Sequence, residues 1–221
     1  MREPRANFSR SELPERTIRL LNRGNRRNPD VLLVEADGGP VVVKDFAARG
    51  AVVRATVARW ITAREAGAYQ WLAGHPSVPR FLGWLDPLAF AVEYRPGRRM
   101  SRHLMDDAGP DFIGALNGAV DELHRRGLVH LDLGHRSNVL VDAQGAPVLI
   151  DFASALWFRP GGAAARWLLP RLIGFDRRAV GKYLGKLERQ RYLREASPAS
   201  PGPSSGDSPA SGGSRGESRP T

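Results

Sequence analysis

Three short runs of β-branched and aliphatic residues open the chain, at Thr17–Leu21, Val31–Ala36 and Val41–Phe46. Each has the length of a strand, and Asp37-Gly38-Gly39-Pro40 between the second and third is a hairpin signal. From Ala51 to Leu72 the period changes. Val53, Val57, Trp60, Ile61, Ala68, Trp71 and Leu72 recur near three and four apart, which predicts an amphipathic helix. Two more strands are predicted near Phe81–Leu85 and Ala89–Tyr94, before a break at Arg95-Pro96-Gly97.

Beyond that break the pattern becomes helical. Met100–Met105 and Asp111–Arg126 read as helices, the second with Phe112, Leu116, Val120 and Leu123 on one face. A polar loop follows, then the strands Val139–Val141 and Val148–Ile150 around the turn Asp142–Gly145. Residues 155–195 read as two or three helices, interrupted at Pro160-Gly161-Gly162 and at Pro170. Ser197–Thr221 holds 8 Ser, 5 Pro and 5 Gly and is predicted to be a disordered tail, because it has too little apolar surface to offset its ordering entropy. The expected organisation is an N-terminal extension over 1–16, a β-rich part over 17–94, a helical part over 95–196 and the tail.

Composition narrows the chemistry. The 221 residues include no Cys, which excludes a disulfide scaffold, a thiolate nucleophile and any Cys-ligated metal. The N-terminus is charged throughout without a leader-like apolar core, and no stretch approaches the roughly 18 apolar residues of a membrane span. A cytoplasmic protein is expected. Lys and Arg number 33 against 23 Asp and Glu, a net charge of +10. Only three of the basic residues are Lys, and Lys44 is the sole one in the first 181 positions. A lone ammonium inside an apolar run of so Arg-rich a chain points to a phosphate contact; the competing reading is a surface lysine that snorkels to water.

Residues 123–141 carry the densest chemistry, with His130-Leu131-Asp132 and then Asn138 just before one predicted strand. Asp151 follows the next strand, so three oxygen-bearing side chains converge at one end of a hairpin. Such oxygens suit Mg²⁺ shared with substrate phosphates. In these residues the sequence resembles the protein-kinase superfamily, whose signature is a strand lysine, a helix glutamate, an HxD loop ending in Asn, and an Asp before Phe. The matching positions are Lys44, Glu65, His130 and Asp132 with Asn138, and Asp151-Phe152, over roughly Thr17 to Ala155.

Four departures shape the resemblance. Asn22–Asp30 holds one glycine where kinases have a glycine-rich loop, leaving Arg23, Arg26 and Arg27 as alternative sources of charge. Asn138 lies six residues after Asp132 rather than five, which requires one residue looped out within 134–137. Asp151-Phe152-Ala153 replaces AspPheGly, and no AlaProGlu follows. These losses resemble the compact atypical branch: RIO-type protein kinases and the bacterial kinases of lipopolysaccharide core sugars.

The resemblance implies an α+β, two-lobed protein-kinase-like fold with a β-rich N-lobe and a reduced helical C-lobe. It implies ATP in the cleft with its adenine near Glu93 and Tyr94, Lys44 and Glu65 fixing the phosphates, and Asn138 and Asp151 holding Mg²⁺ or Mn²⁺. Asp132 orients and deprotonates the acceptor hydroxyl, while His130 is expected to be a structural residue of the loop. His135 and Arg136 are either substrate contacts or a solvated loop. The first expectation for the acceptor is a protein Ser/Thr hydroxyl; a glycan hydroxyl at the inner membrane face is the alternative, and a catalytically silent nucleotide-binding module is a third reading. Nucleic acid is disfavoured, because no ladder of aromatic residues is interleaved with the basic ones.

The charge is unevenly placed. Residues 157–196 hold 10 basic and 3 acidic side chains, against 21 and 18 in residues 1–156. The helices over 157–195 are thus expected to meet an acidic partner or a membrane surface, or to be a helical layer packed beneath the catalytic part.

Overall fold

The computed structural model describes residues 4–25, 28–47, 50, 58–100 and 111–196. The chain is α+β, with a sheet-rich N-terminal part and helices later. Residues 51–57 of the helix predicted over 51–72, residues 101–105 of the one predicted over 100–105, Arg26, Arg27 and the Ser-rich tail lie outside the described residues.

An antiparallel five-stranded sheet is built from β1 (Thr17–Asn22), β2 (Asp30–Ala36), β3 (Gly39–Asp45), β4 (Phe81–Asp86) and β5 (Ala89–Glu93), in the order β1-β2-β3-β5-β4. The β2–β3 turn is tight: Ala36 pairs with Gly39, which takes φ +104°. Strand parity then sorts side chains to two faces. Val41, Val43, Ala89 and Ala91 pack with Val34 on one face, whereas Phe90 and Val92 join the main core on the other. That parity sends Lys44 to the same face as Val42, opposite Val31 and Phe90 in register.

Residues 4–16, expected to be an extension, are a strap on this sheet. Ala6 N–H donates to Trp84 O and Trp84 N–H to Pro4 O, both at 3.0 Å, covering the exposed edge of β4. Gly83 permits this approach: at φ +147° it has no Cβ, which would otherwise meet Arg5 and Ala6 backbone atoms at 2.4 Å. Phe8 and Leu13 of the short helix α1 (Leu13–Arg16) and its lead-in are buried under the sheet. Arg10 forks between Asp45 (2.8 Å) and Asp86 (3.0 Å).

Helix α2 (Arg59–Trp71) packs on the other face and turns Thr62, Glu65, Ala66 and Tyr69 inward at the spacing of one helical stripe. After β6 (Gly97–Arg99), helix α3 (Phe112–Arg125) buries Phe112, Leu116, Val120 and Leu123, the face its periodicity predicts. Two short sheets follow, β10-β7 and β6-β8-β9, from β7 (Leu128–Val129), β8 (Val139–Asp142), β9 (Pro147–Leu149) and β10 (Leu156–Trp157). One buried cluster runs from Phe90 and Tyr69 through Leu116, Val139 and Phe152 to Tyr183, so sheet and helices share a core.

The last element departs from expectation. Instead of two or three helices broken at Pro170, a single helix α4 (Ala163–Ala196) passes through that proline. Proline removes one i→i−4 bond and costs about 3 kcal/mol in a helix interior. Pro170 lies on the solvent side, and Asp176, Ala179, Val180 and Tyr183 anchor the next turns in the core, so packing outweighs the local penalty. Pro160-Gly161-Gly162 does mark a boundary, with Gly161 at φ +78° just before α4.

Candidate active site

A cavity of about 630 Å³ lies between the sheet and the β8–β9 hairpin, a size that suits a small-molecule ligand. Apolar walls come from Val31, Val42, Val92 and Ile150, and its polar lining includes Lys44, Asn138 and Asp151. Glu93, the last residue of β5, and Tyr94, on the connection to β6, also line it. The Glu93 carboxylate accepts from Arg80 N–H at 3.1 Å.

Lys44 is buried and stands between two carboxylates. Its Nζ pairs with Glu65 Oε1 and lies 3.3 Å from Asp151 Oδ1. Burial opposes the ammonium charge, but Glu65 and Asp151 outweigh it and hold Lys44 above the ordinary lysine range. Burial pushes the fully enclosed Glu65 carboxyl up, to about 7, against the pull of the Lys44 ammonium. Asp151 is half-exposed, and the Lys44 charge holds its carboxyl below the ordinary range.

Asn138 shows how the six-residue spacing is accommodated. Residues 136–138 form a turn of 3₁₀ helix, with Asn138 N–H donating to His135 O at 3.0 Å. The amide nitrogen of Asn138 then donates to Asp132 O at 3.0 Å and to Asp132 Oδ2 at 2.8 Å. That leaves the Asn138 carbonyl oxygen on the opposite side of the amide, where Ser137 Oγ donates to it at 3.2 Å. Ile150 N–H donates to Asn138 O at 3.0 Å, closing the hairpin end beside Asp151. Asn138 and Asp151 share the cavity lining with Lys44, Glu65 joins them through Lys44, and Asp132 stands behind the lining, tied to it through Asn138.

Two non-glycine residues here hold left-handed backbone, Leu131 at φ +66° and Asp151 at φ +68°. Such conformations cost of order 1 to 3 kcal/mol and persist where the surroundings dictate them. For Leu131 the surroundings are Asp176 of α4, whose two oxygens accept from His130 N–H (2.8 Å) and Leu131 N–H (2.9 Å). For Asp151, Tyr69 Oη accepts its N–H at 3.2 Å while the Phe152 ring packs edge-on to Tyr69 and against His130. His130 is fully buried, its Nε2 3.1 Å from Ile150 O, so it supports the loop from within the core.

Asp176 and Tyr69 were not among the expected site residues. Asp176 had a signal: it is the only acidic residue between 157 and 187, in the most basic part of the chain. Tyr69 had only its place one turn after Glu65.

The β1–β2 loop folds onto itself. Gly24 N–H donates to Asp30 Oδ1 at 2.8 Å, and a side chain at Gly24 would meet Asn28 O at 2.2 Å, so this glycine serves backbone crowding within the loop.

The oxygens of Asp151 and Asn138 are a hard, two-donor set, which suits a Mg²⁺ or Mn²⁺ ion that completes its shell with water and phosphate oxygens. No model of a known protein family matches the chain. Among the described residues no helix is long and apolar enough to cross a membrane.

Proposed function

We propose that this protein is an ATP- and divalent-metal-dependent phosphotransferase with a compact, two-lobed, protein-kinase-like fold, acting first on protein Ser/Thr hydroxyls. The observation that carries the reading is the single constellation of Lys44 between Glu65 and Asp151, with Asn138 fastened to Asp132, at one end of a cavity with apolar walls. An ammonium held charged by two carboxylates is suited to the α- and β-phosphates, and Val31, Val42, Val92 and Ile150 to a purine.

Asp151 and Asn138 would hold the metal, which neutralises charge on the transferring phosphoryl group. Asp132 uses Oδ2 for Asn138 and keeps Oδ1 for the acceptor. As the bond from γ-phosphorus to the β–γ bridging oxygen breaks and the acceptor oxygen bonds to phosphorus, the acceptor proton passes to Asp132. ADP leaves with the bridging oxygen. Lys44, fixed by Glu65, keeps the phosphates in line. Catalysis of this kind is positioning and charge stabilisation, which needs no large substrate lobe.

The test compares wild type with Asp132→Ala and Asp151→Asn, using γ-labelled ATP with Mg²⁺ or Mn²⁺ and a lysate split into protein and glycolipid fractions. Asp132→Ala should lower transfer about 10² to 10⁴-fold, as loss of a general base does. It should leave ATP binding intact. Label in the glycolipid fraction alone would move the acceptor to a glycan hydroxyl. Transfer unchanged in both variants would reject the site, and ATP binding without transfer by wild type would make the protein a nucleotide-dependent binding module.

A further inference from the structure

Helix α4 presents two unlike faces. Inward it carries Asp176, Ala179, Val180 and Tyr183, which hold the loop before Asp132 and fill the core. Outward, at steps of three and four, stand Trp167, Arg171, Phe175, Arg178 and Lys182, with Leu168 at the margin. Trp167 is 67% exposed, Phe175 54% and Leu168 49%. Large apolar side chains are seldom so bare in company. The guanidinium of Arg171 lies 5.9 Å from the Trp167 ring centre and that of Arg178 4.7 Å from the Phe175 ring centre, so charge and ring form joined pairs.

Among the described residues this face has no countercharge. Asp176, the only carboxylate between 157 and 187, is turned inward and buried. Among the described residues no carboxylate lies within ion-pair distance of Arg171, Arg178 or Lys182, whereas neighbouring Arg177, off this stripe, pairs with Asp121 at 3.7 Å. From Trp167 to Lys182 the stripe runs about 22 Å along the helix.

We infer that the outward face of α4 docks the protein on an anionic lipid surface. The three cations complement any polyanion, but a soluble one leaves Trp167, Leu168 and Phe175 in water. A layer of anionic headgroups takes both components: Trp prefers the headgroup level, Phe and Leu reach the acyl boundary, and the Arg and Lys heads stay among the phosphates. Because Asp176 and Tyr183 tie the same helix to residues 130–133, docking also fixes the orientation of the Asp132 loop relative to the surface. The inference does not depend on the phosphotransfer reading.

The experiment is co-sedimentation of the full chain with vesicles of phosphatidylcholine, alone or mixed with phosphatidylglycerol. Binding is expected only to the mixed vesicles, and added salt should weaken it. Each cation near an anionic leaflet is worth about fivefold in partitioning, so Arg171→Gln, Arg178→Gln and Lys182→Gln together should reduce binding about 10²-fold. The double variant Trp167→Ala, Phe175→Ala keeps every charge and should also lose binding. The emission difference between wild type and Trp167→Phe should shift to the blue on vesicle addition. All five side chains are exposed, so thermal denaturation should show the variants folded as wild type. Failure of wild type to sediment with mixed vesicles overturns the proposal. So does wild-type vesicle binding by the Trp167/Phe175 variant, which would make the face a general polyanion site for heparin or an acidic protein.

Discussion

At the residue scale, the centre of the molecule is a buried cation between carboxylates of different exposure. Glu65 has no water to offset its charge, so Lys44 is its electrostatic complement, while half-exposed Asp151 keeps a side open for a ligand. Glu65→Gln should therefore act on stability and chemistry together. Breaking a buried pair by removing one partner costs about 3 to 5 kcal/mol. The low end is expected, because Asp151 remains 3.3 Å from the ammonium. Lys44 then swings towards Asp151, and a displacement of about 1 Å in a positioning group can cost 10²-fold in rate. Thermal denaturation and initial-rate phosphotransfer check both; a wild-type rate would separate Glu65 from the site. Lys44, Asp132, Asn138 and Asp151 were legible in the sequence because their residue types are confined to short stretches beside predicted strands. Asp176 and Tyr69 were not, because they reach the loop backbones from 46 and 82 residues away.

At the scale of elements, period decided more than propensity. The alternation in β3 and β5 placed Lys44 and Phe90 on one face, and the stripe of α2 aimed Glu65 and Tyr69 at it. Where a local rule failed, tertiary packing had overridden it, as at Pro170. Pro170→Ala restores one backbone bond on the solvent side without touching the inward residues, so it should stabilise the protein by up to about 3 kcal/mol. A higher midpoint in thermal or urea unfolding is the expected result; a lower one would mean that the course of α4 depends on the proline. The strap of residues 4–16 was illegible for a similar reason. Its attachments are backbone bonds to β4 and the Arg10 fork to Asp45 and Asp86, which no periodicity announces.

At the scale of the whole molecule, two buried histidines couple the fold to pH. Burial holds both His75 and His130 below the ordinary value of 6.5, despite the nearby charges of Asp176 and Asp151 at His130 and of Glu122 at His75. The unfolded chain binds these protons first on acidification, so their contribution is present above pH 6.5 and is lost as pH falls towards the depressed native values. Glu65 acts oppositely in this window, its native carboxyl at about 7 taking a proton before the unfolded chain does, so the check is a difference: from about pH 7 to pH 5 the thermal midpoint of His130→Gln should gain on that of wild type. A profile equally steep in the variant would place the sensitivity elsewhere. By itself the sequence determined the order of the five strands of the first sheet with helices α2 and α3, the α+β class and the candidate metal, phosphate and proton-handling groups, because hydrophobic period and residue chemistry are local properties; the short strands β6, β7 and β10, the last inside a stretch read as helical, were not among its readings. Only the tertiary structure decided that Asp176 and Tyr69 hold the loop, that residues 4–16 belong to the sheet, that α4 runs unbroken and which of its faces is left bare. Those depend on burial and on bonds between distant segments, whose free energy exists only once the core has closed.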